Sequence, residues 1–441
     1  MGKRTKFLTV TNSIEPWNRT YYQAKAKFFY PKNLNELLNF RKFLKVSNSK
    51  YSVKTGNCSY DSKSMPTNQN SFVISLSNFN KVIKIDKLKH TVLVQSGIKI
   101  SDLVKTLKEN KYKIFCVPGG EKISLGGAIS ANAIGKDSNS SYGSFGDNVL
   151  SLKVLTENNK VINLSKSSKK LKNLIGGFGM NGLILEAKLK IKRIKSENVD
   201  LCISQFSNIK ELIKNLNNKS EYNYAQLDPF FREQNFGVIF SANTSEKKEN
   251  YFKTINLNYN FFEKFFFKIS TIFINPFSWK MFYSLFFLIN KKKSKTLDLH
   301  NFHYSSKYKH MIPLIHSKGI DDYEILIKGN LNIFLEKIIK FLKINKIYCI
   351  YIVIKKIFKS KNKYFYSFND NGYAIALSIK NDNKSLLFYN YLKYLIKNNQ
   401  ITINLAKTDK ILLNKSINRS SFMSLYKKKI LKNGKISGKR T

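Results

Sequence analysis

One stretch, from Pro118 to Asn148, holds seven of the chain's 20 glycines in a sequence otherwise crowded with Lys, Ile, Phe and Asn. Glycine has no Cβ, so its backbone N–H group can approach a ligand closely and can adopt positive φ. Ser124, Ser141 and Ser144 add hydroxyl donors, and the combination suits a pyrophosphate. On composition alone, the alternative is an ordinary surface loop. We interpret the stretch as the floor of a cofactor site.

Length and charge limit the classes of protein that fit this chain. A chain of 441 residues exceeds the usual size of a single hydrophobic core and is long enough to form two domains. The 77 Lys and Arg residues against 28 Asp and Glu give a formal net charge of +49, which invites nucleic acid or an anionic membrane as partner. Only seven of the 77 are Arg, whereas nucleic-acid readers favour the Arg fork, and the lysines are scattered through every segment. We therefore expect no nucleic-acid partner.

Neither the cysteines nor the histidines form a metal-binding pattern. Cys58, Cys116, Cys202 and Cys349 lie far apart without a CxxC pair, which predicts neither a zinc site nor a disulfide framework. Four of the five histidines fall between His300 and His316, but their spacings fit no standard ligand set. The N-terminal MGKRTKFLTVTNS has no apolar signal-peptide core. We predict no metal and a cytoplasmic, reducing location.

Capping residues and periodicity predict several elements around the glycine stretch. Asn33 and Glu36 resemble a capping box that opens a helix through about Lys45. Ser101 is predicted to cap a second helix, DLVKTLKEN, which returns to the strand YKIFCVPG. After the stretch, NVLSLKVLT and KVINLS flank the turn ENNK and predict a hairpin.

Gly177, Gly179 and Gly182 spell GxGxxG, a pattern typical of NAD-binding Rossmann domains. That fingerprint needs a strand before it and a helix after it. Here the helical run KKLKNLI comes before, and LILEAKLKIKR, which alternates at period two, comes after. The order of elements argues against a Rossmann domain.

Several motifs in order resemble one flavoprotein superfamily. VPGG, ISLGGAIS, IGK and GSFGDNVLSLKVLT follow one another as in the PCMH-type FAD-binding domain of the vanillyl-alcohol-oxidase superfamily. The resemblance is strongest to the decaprenylphosphoryl-β-D-ribose 2-oxidase family, runs over residues 50 to 190, and returns at ITINLAKTDK. It implies an α+β, two-domain PCMH-type FAD-binding fold, with an α+β substrate (cap) domain built on an antiparallel sheet.

The same resemblance implies a domain organisation. Past Lys195 the glycines nearly vanish and aromatic residues become common, which predicts a domain boundary. We expect an FAD-binding domain of two α+β subdomains over residues 1–195 and a substrate domain over 196–400. The C-terminal segment, 401–441, is expected to return to the FAD domain.

The resemblance implies FAD as cofactor and assigns its site residue by residue. Lys407 in ITINLAKTDK and Lys136 in IGK are implied to be catalytic, beside the flavin and the phosphorylated sugar of the substrate. A lysine can stabilise negative charge that develops on the reduced ring. The implied cofactor-binding residues are Gly56, Asn57, Ser59, Tyr60, Gly119, Gly120, Ser124, Leu125, Gly126, Gly127, Ala131, Asn132, Gly135, Ser144, Gly182, Ile184 and Asn404.

The turn GNCSYDS, residues 56–62, and the glycine stretch contain no histidine, which predicts that FAD is bound non-covalently. Cys58 and Cys116 are the alternatives for a covalent link.

The most apolar stretch covers residues 261–290, FFEKFFFKISTIFINPFSWKMFYSLFFLIN. Lys268, Pro276 and Lys280 interrupt it, so no run approaches the roughly 20 apolar residues that a bilayer demands. Two interpretations stay open: helices that pack on the sheet of the substrate domain, or an aromatic and basic surface among lipid headgroups. The following KKKSK favours the second, with peripheral contact at the inner face of the membrane.

By resemblance, the chain is expected to be an FAD-dependent oxidoreductase that oxidises a sugar-type hydroxyl. The implied substrate is a polyprenyl-phosphate pentose, and a separate NAD-dependent reductase would complete a 2′-epimerisation. Relatives usually have His at Ile134, Cys at about Ala376 and often Tyr at Asn404. These departures leave a sugar-lactone oxidase, similar to D-arabinono-1,4-lactone oxidase, as an alternative. A degenerate, non-catalytic flavin-fold binding protein is the alternative from another class.

Overall fold

The structure of the chain is a computed structural model. It describes residues 7–19, 24–60, 65, 71–137, 142–232, 236–246, 261–262, 265, 269, 275–304, 312, 316, 318–366, 368, 370–398 and 401–407.

The N-terminal part forms a small sheet covered by one helix. Its elements are β1 (Val10–Ile14), β2 (Ala24–Phe29), α1 (Leu34–Val46), β3 (Tyr51–Val53) and β4 (Phe72–Ile74). The strand order is β1-β2-β4-β3, in which β4 runs parallel to both neighbours. The apolar side of α1, with Leu37 and Phe40, packs on Phe29 and Ile74 of this sheet.

A second, five-stranded sheet of order β5-β6-β10-β8-β9 follows, with every neighbouring pair antiparallel. Side chains of β6 and β8 share a core with α2 and α3, so the helix that carries part of the glycine stretch is fixed against the sheet. The elements are β5 (Val82–Asp86), β6 (Thr91–Gln95), α2 (Ile100–Glu109), β7 (Tyr112–Lys113), α3 (Leu125–Ala131), a 3-10 turn (Phe145–Asn148), β8 (Val149–Leu155), β9 (Val161–Ser165), α4 (Lys169–Leu174), β10 (Leu183–Lys190) and β11 (Lys192–Arg193).

An eight-stranded antiparallel sheet forms the rest of the molecule, in the order β15-β12-β14-β13-β17-β18-β16-β19. Helices α5, α8 and α9 contribute to the core on one of its faces, and α6 and α7 to the core on the other. The elements are β12 (Asn198–Phe206), α5 (Ile209–Leu216), β13 (Tyr222–Leu227), β14 (Gly237–Thr244), α6 (Pro276–Ile289), β15 (Lys293–Asp298), α7 (Leu299–His303), β16 (Ile320–Ile327), α8 (Leu331–Ile344), β17 (Cys349–Ile357), β18 (Gly372–Lys380), α9 (Asn383–Lys397) and β19 (Thr402–Ile403).

Charged pairs join the glycine-rich part to the eight-stranded sheet. Lys108 Nζ lies 2.6 Å from Asp298 Oδ2, and Lys113 Nζ lies 2.5 Å from Glu221 Oε1. Asp147, within the glycine stretch, accepts hydrogen bonds from the Ser360 hydroxyl at 2.5 Å and from the Tyr364 hydroxyl at 2.9 Å. These polar side chains are largely buried, so removing one partner would leave an unpaired charge in the interior.

The structure confirms the predicted fold class: an α+β molecule with an antiparallel substrate-domain sheet. It also confirms the first helix, where Asn33 Oδ1 accepts the N–H of Glu36 at 2.9 Å, and the β8–β9 hairpin. The prediction that Ser101 caps the second helix is wrong. The cap is Lys99, and the Ser101 hydroxyl donates instead to the Glu121 carbonyl at 2.8 Å.

The predicted domain boundaries are not tested by this architecture and stay predictions. Thr402 and Ile403 form β19, which pairs with β16 at the edge of the eight-stranded sheet. Residues 408–441 of the predicted C-terminal segment lie outside the described residues.

Candidate active site

A cavity of about 1300 Å³ lies between the glycine-rich part and the eight-stranded sheet. One wall is formed by the turn after β3, the glycine stretch and residues 178–184. The opposite wall is formed by side chains from β13, β16, β17 and β18, by α6 and by the segment after β19. Drug-sized ligands usually occupy about 300–1,000 Å³, so this cavity has room for a dinucleotide together with part of a substrate.

Glycines allow two segments of the first wall to meet. A Cβ on Gly56 would lie 2.2 Å from the Lys122 carbonyl oxygen and 2.9 Å from the Ser124 nitrogen. Ser124 caps α3 and accepts the N–H of Gly127 at 3.3 Å. The turn after β3 and the glycine stretch therefore form one continuous backbone surface, which side chains larger than hydrogen would push apart.

The residues of this wall fit FAD. A Cβ on Gly127 would meet only the Ser124 hydroxyl within 4 Å, and one on Gly179 would meet nothing, so both positions leave open space along the cavity. The buried Ser52 hydroxyl, which also lines the cavity, has no hydrogen-bond partner among the described residues. Open backbone and an unsatisfied hydroxyl are what a pyrophosphate or ribose needs.

Lys407 lies on the opposite wall, just after β19. Its Nζ is 3.4 Å from Asp322 Oδ2, and it stands over the Tyr60 ring at 5.7 Å from the centroid. Asp322 is buried and also accepts the Tyr351 hydroxyl at 3.2 Å and the Ser378 hydroxyl at 3.0 Å. Burial alone would lower the pKa of Lys407, but the Asp322 and Glu324 carboxylates outweigh it and raise this pKa. Lys407 is a fixed, positively charged group.

Glu324 forms a second pair beside the first. Its Oε2 accepts the Asn404 amide at 2.7 Å, and its Oε1 lies 3.4 Å from Lys355 Nζ. Burial would raise the pKa of Glu324, but Lys407 and Lys355 together hold it down at about 2. Asp322, Glu324, Lys355 and Lys407, which we call the carboxylate–lysine cluster, carry two negative and two positive charges when ionised. Such a cluster can orient hydroxyl groups and stabilise developing charge without carrying a net charge of its own.

Lys136 also lines the cavity, but it is directed toward α7. Its Nζ donates to the carbonyls of Phe302 at 3.1 Å and His303 at 3.4 Å, and it lies 5.3 Å from the Tyr224 ring centroid. His303 is buried, and burial together with the Lys136 charge lowers its pKa well below the usual range. These contacts make Lys136 a tether between the glycine stretch and the substrate-domain sheet.

The structure brings most of the predicted site residues to one cavity. Three do not line it: Leu125 belongs to the core, Asn132 accepts the Gly146 N–H at 3.1 Å, and Ser144 is fully buried. Whether any of these residues contacts FAD stays a prediction. Those that line the cavity are Gly56, Asn57, Ser59, Tyr60, Gly119, Gly120, Ser124, Gly126, Gly127, Ala131, Gly135, Lys136, Gly182, Ile184, Asn404 and Lys407.

Sequence reasoning missed the acidic half of the cluster. Asp322 and Glu324 stand two residues apart on β16, in the run IDDYEILI, so their side chains emerge on the same face of the sheet. Three carboxylates, Asp321, Asp322 and Glu324, are unusual within one buried strand, and they were the available signal. Lys355 gave no signal, because it is one of many lysines on strands of this chain.

Asp137, within the glycine stretch, should make the free energy of unfolding depend on pH. Burial raises its pKa from 3.8 to about 6, against a hydrogen bond from the Cys116 N–H that lowers it. The folded chain therefore binds this proton more tightly than the unfolded chain. The bound proton stabilises the folded state fully below about pH 4. As pH rises through about 6 this stabilisation is lost, and the free energy of unfolding falls by at most about 3 kcal/mol. Denaturant unfolding from pH 4.5 to 7.5 measures this loss.

In Asp137→Asn, the pH-linked loss should disappear, because the amide does not titrate. Glu336→Gln, on the exposed face of α8, is the matched control and should keep the wild-type trend. Parallel pH curves for wild type and Asp137→Asn would contradict the assignment.

Comparison with known proteins agrees with this geometry. Residues 26–165 match the model of an FAD binding domain. Decaprenylphosphoryl-β-D-ribose oxidase of Mycolicibacterium smegmatis is 31% identical over 127 residues, which cover 28% of this chain and 27% of that protein. L-gulonolactone oxidase of Bos taurus is 24% identical over 313 residues, 67% of each chain. The match to the first relative thus spans about a quarter of that relative's length.

A solved structure extends the likeness to the whole fold. Cholesterol oxidase from Brevibacterium sterolicum superposes with a TM-score of 0.70 over 97% of this chain and 96% of its own, at 13% identity. At that identity the likeness concerns the fold alone. The cofactor prediction is confirmed by the matched domain, which is an FAD binding domain. Residues 26–165 thus carry an FAD binding domain, and the chain is similar to FAD oxidoreductases of the PCMH-type superfamily.

Proposed function

We propose that the chain is an FAD-dependent oxidoreductase that oxidises a sugar-type hydroxyl of a polyprenyl-phosphate pentose. The carbon that bears the hydroxyl gives up a hydride, and the hydroxyl proton leaves to solvent. The observation that carries the proposal is the position of Glu324, Lys355 and Lys407 of the carboxylate–lysine cluster, on the wall of the cavity opposite the glycine surface. A substrate placed between the two walls would have its polar groups on the cluster.

When bound, FAD supplies the redox chemistry by accepting the hydride. The protein's own groups orient the substrate. Lys407 offers N–H donors to the reacting hydroxyl or to a neighbouring oxygen, and Asp322 keeps its ammonium in place and charged. Glu324 and Lys355 offer an acceptor and donors for further hydroxyls. Removal of bulk water from this buried site strengthens each of these interactions.

Apolar side chains support the lipid part of the proposed substrate. Trp279, Phe282, Tyr283, Ile312 and Ile350 line the cavity beside the cluster. A prenyl chain would bury apolar surface against them, whereas a free sugar lactone would not. In this proposal a separate NAD-dependent reductase would complete the epimerisation.

A sugar-lactone oxidase is the second candidate. It is favoured by the similarity to L-gulonolactone oxidase, which extends over 67% of the chain. It is also favoured by Ile134 and Ala376, which line the cavity with apolar groups where ribose-oxidising relatives usually have His and Cys.

Flavin content is the first measurement. The purified protein should be yellow, and denaturation by heat or acid should leave FAD in the supernatant, because no histidine is among the described cavity residues. Flavin fluorescence that stays with the protein band on a denaturing gel would contradict non-covalent binding. A colourless protein that takes up no added FAD would favour the non-catalytic alternative.

Substrate class is tested by anaerobic reduction of the bound flavin. We expect a polyprenyl-phosphate pentose to bleach the flavin absorbance and an aldonolactone to leave it unchanged. The reverse result would support the lactone oxidase, and bleaching by neither would reject both sugar-type substrates.

A further inference from the structure

Helix α6 is apolar on two opposite faces. Its inner face packs on the eight-stranded sheet, where Trp279 Nε1 and the Tyr283 hydroxyl both donate to the Ile350 carbonyl at 3.0 Å. A surface helix normally turns polar residues outward. Here the outer face exposes large apolar side chains that are 49–72% accessible: Phe277, Met281, Phe282, Leu285, Leu288 and Ile289.

Along α6 and the residues that follow it, the charged side chains are all positive. No Asp or Glu occurs between Pro276 and Lys295. Lys280 lies on the helix, and the exposed residues 291–293, all lysines, follow its C-terminal end. A formal net charge of +49 opposes self-association of the chain and favours an anionic partner. Exposed aromatic and aliphatic groups next to lysines suit the headgroup region of an anionic bilayer.

The same helix borders the mouth of the cavity. Phe282 lines the cavity and is also 49% exposed, and Trp279, one turn earlier, lines it as well. When the outer face of α6 contacts lipid, the mouth of the cavity therefore lies beside the bilayer.

We propose that α6 docks on an anionic lipid bilayer through Phe277, Met281, Leu285, Leu288 and the lysines 291–293, which we call the α6 surface. Apolar side chains enter the boundary between headgroups and acyl chains, and the lysines contact anionic headgroups. For the substrate, the inference rests on the function proposed above: a lipid-linked sugar reaches the cluster past Phe282 without leaving the membrane. None of the described helices is long and apolar enough to cross a bilayer, so the contact is peripheral.

Sedimentation of the full chain with vesicles tests the proposal. We expect binding to vesicles that contain phosphatidylglycerol, and weaker binding to pure phosphatidylcholine. The variant Phe277→Gln/Met281→Gln/Leu285→Gln/Leu288→Gln should lose at least about tenfold in partition coefficient, because the buried apolar area is removed. Lys291→Gln/Lys292→Gln/Lys293→Gln should lose the preference for anionic lipid but keep the weaker binding.

A matched control carries four equivalent changes on α8 and α9: Ile333→Gln, Ile344→Gln, Leu387→Gln and Tyr394→Gln. These side chains are also exposed, and this variant should bind vesicles as the wild type does. Far-UV circular dichroism checks that every variant is folded.

Two outcomes would overturn the proposal: equal sedimentation of wild type and the α6 variant, or no binding by the wild type. A concentration-dependent dimer in analytical ultracentrifugation that the α6 variant abolishes would also overturn it, since a second copy would then cover the helix. Vesicle binding needs neither FAD nor turnover, so its failure is distinguishable from failure of the proposed reaction.

Discussion

Lys407→Met should keep its FAD and lose the ability to have that FAD reduced by substrate. The glycine surface that fits the cofactor lies on the other wall of the cavity, so the flavin-to-protein ratio should stay near the wild-type value. Loss of one preorganised charged donor typically lowers the rate by about 10²-fold or more. Stopped-flow absorbance under anaerobic conditions, with a substrate that reduces the wild-type flavin, measures the rate.

Three further variants make this result specific. Lys407→Arg should not restore the rate, because the planar fork places its charge differently from a compact ammonium. Lys397→Met, on the exposed end of α9, should behave as the wild type. Loss of Lys407 leaves Asp322 as a buried carboxylate that has lost its cation, which can destabilise the fold. Lys407→Met/Asp322→Asn removes both charges, and it should be as stable as the wild type yet remain slow.

An undiminished reduction rate in Lys407→Met would show that this lysine only pairs with Asp322 and takes no part in the reaction. A fall in FAD content parallel to the fall in rate would instead place Lys407 in cofactor binding.

Gly56→Ala should weaken FAD binding by about 10- to 100-fold. The added Cβ would lie 2.2 Å from the Lys122 carbonyl oxygen, and backbone must move to relieve that overlap. Overpacking of this kind costs about 1–3 kcal/mol, and each 1.4 kcal/mol is about tenfold in Kd. The displaced turn would carry Asn57 and Ser59 away from the glycine stretch. Fluorescence titration of the apoprotein with FAD measures the change.

Gly329→Ala is the control for the glycine change. A Cβ there meets its nearest neighbour, a Phe334 ring carbon, at 4.0 Å, which is an ordinary contact. FAD affinity and melting temperature should both stay at wild-type values. If Gly56→Ala also keeps wild-type affinity, the turn after β3 does not take part in holding the cofactor.

The cofactor wall could be predicted from the sequence because its determinants are local. Gly126 and Gly127 lie within seven residues of Gly120, and all three line the cavity wall. Residues that are close in the sequence therefore line the same part of the cavity. The helix opened by Asn33 is equally local, since the cap bonds a residue three positions away.

The substrate wall could not be predicted in the same way, because it depends on strand register. Asp322 pairs opposite Ser378, and Glu324 opposite Ala376, which in turn pairs with Val353. A shift of one residue in either pairing would turn both carboxylates to the other face of the sheet. No pattern within β16 alone specifies those partners. Ser101 failed as a cap for a similar reason, because its hydroxyl has a tertiary acceptor at Glu121.

The position of Lys407 in the chain has a consequence for biosynthesis. Ser52, the glycine stretch and Gly182 all leave the ribosome more than 200 residues before β19 is made. Because domains generally fold in order of synthesis, the cofactor wall can form and take up FAD while the later strands are still missing. A nascent or prematurely released chain would then carry a flavin without Lys407, the lysine that we propose takes part in turnover. In the function proposed above, reactivity would therefore begin only when the last described segment docks.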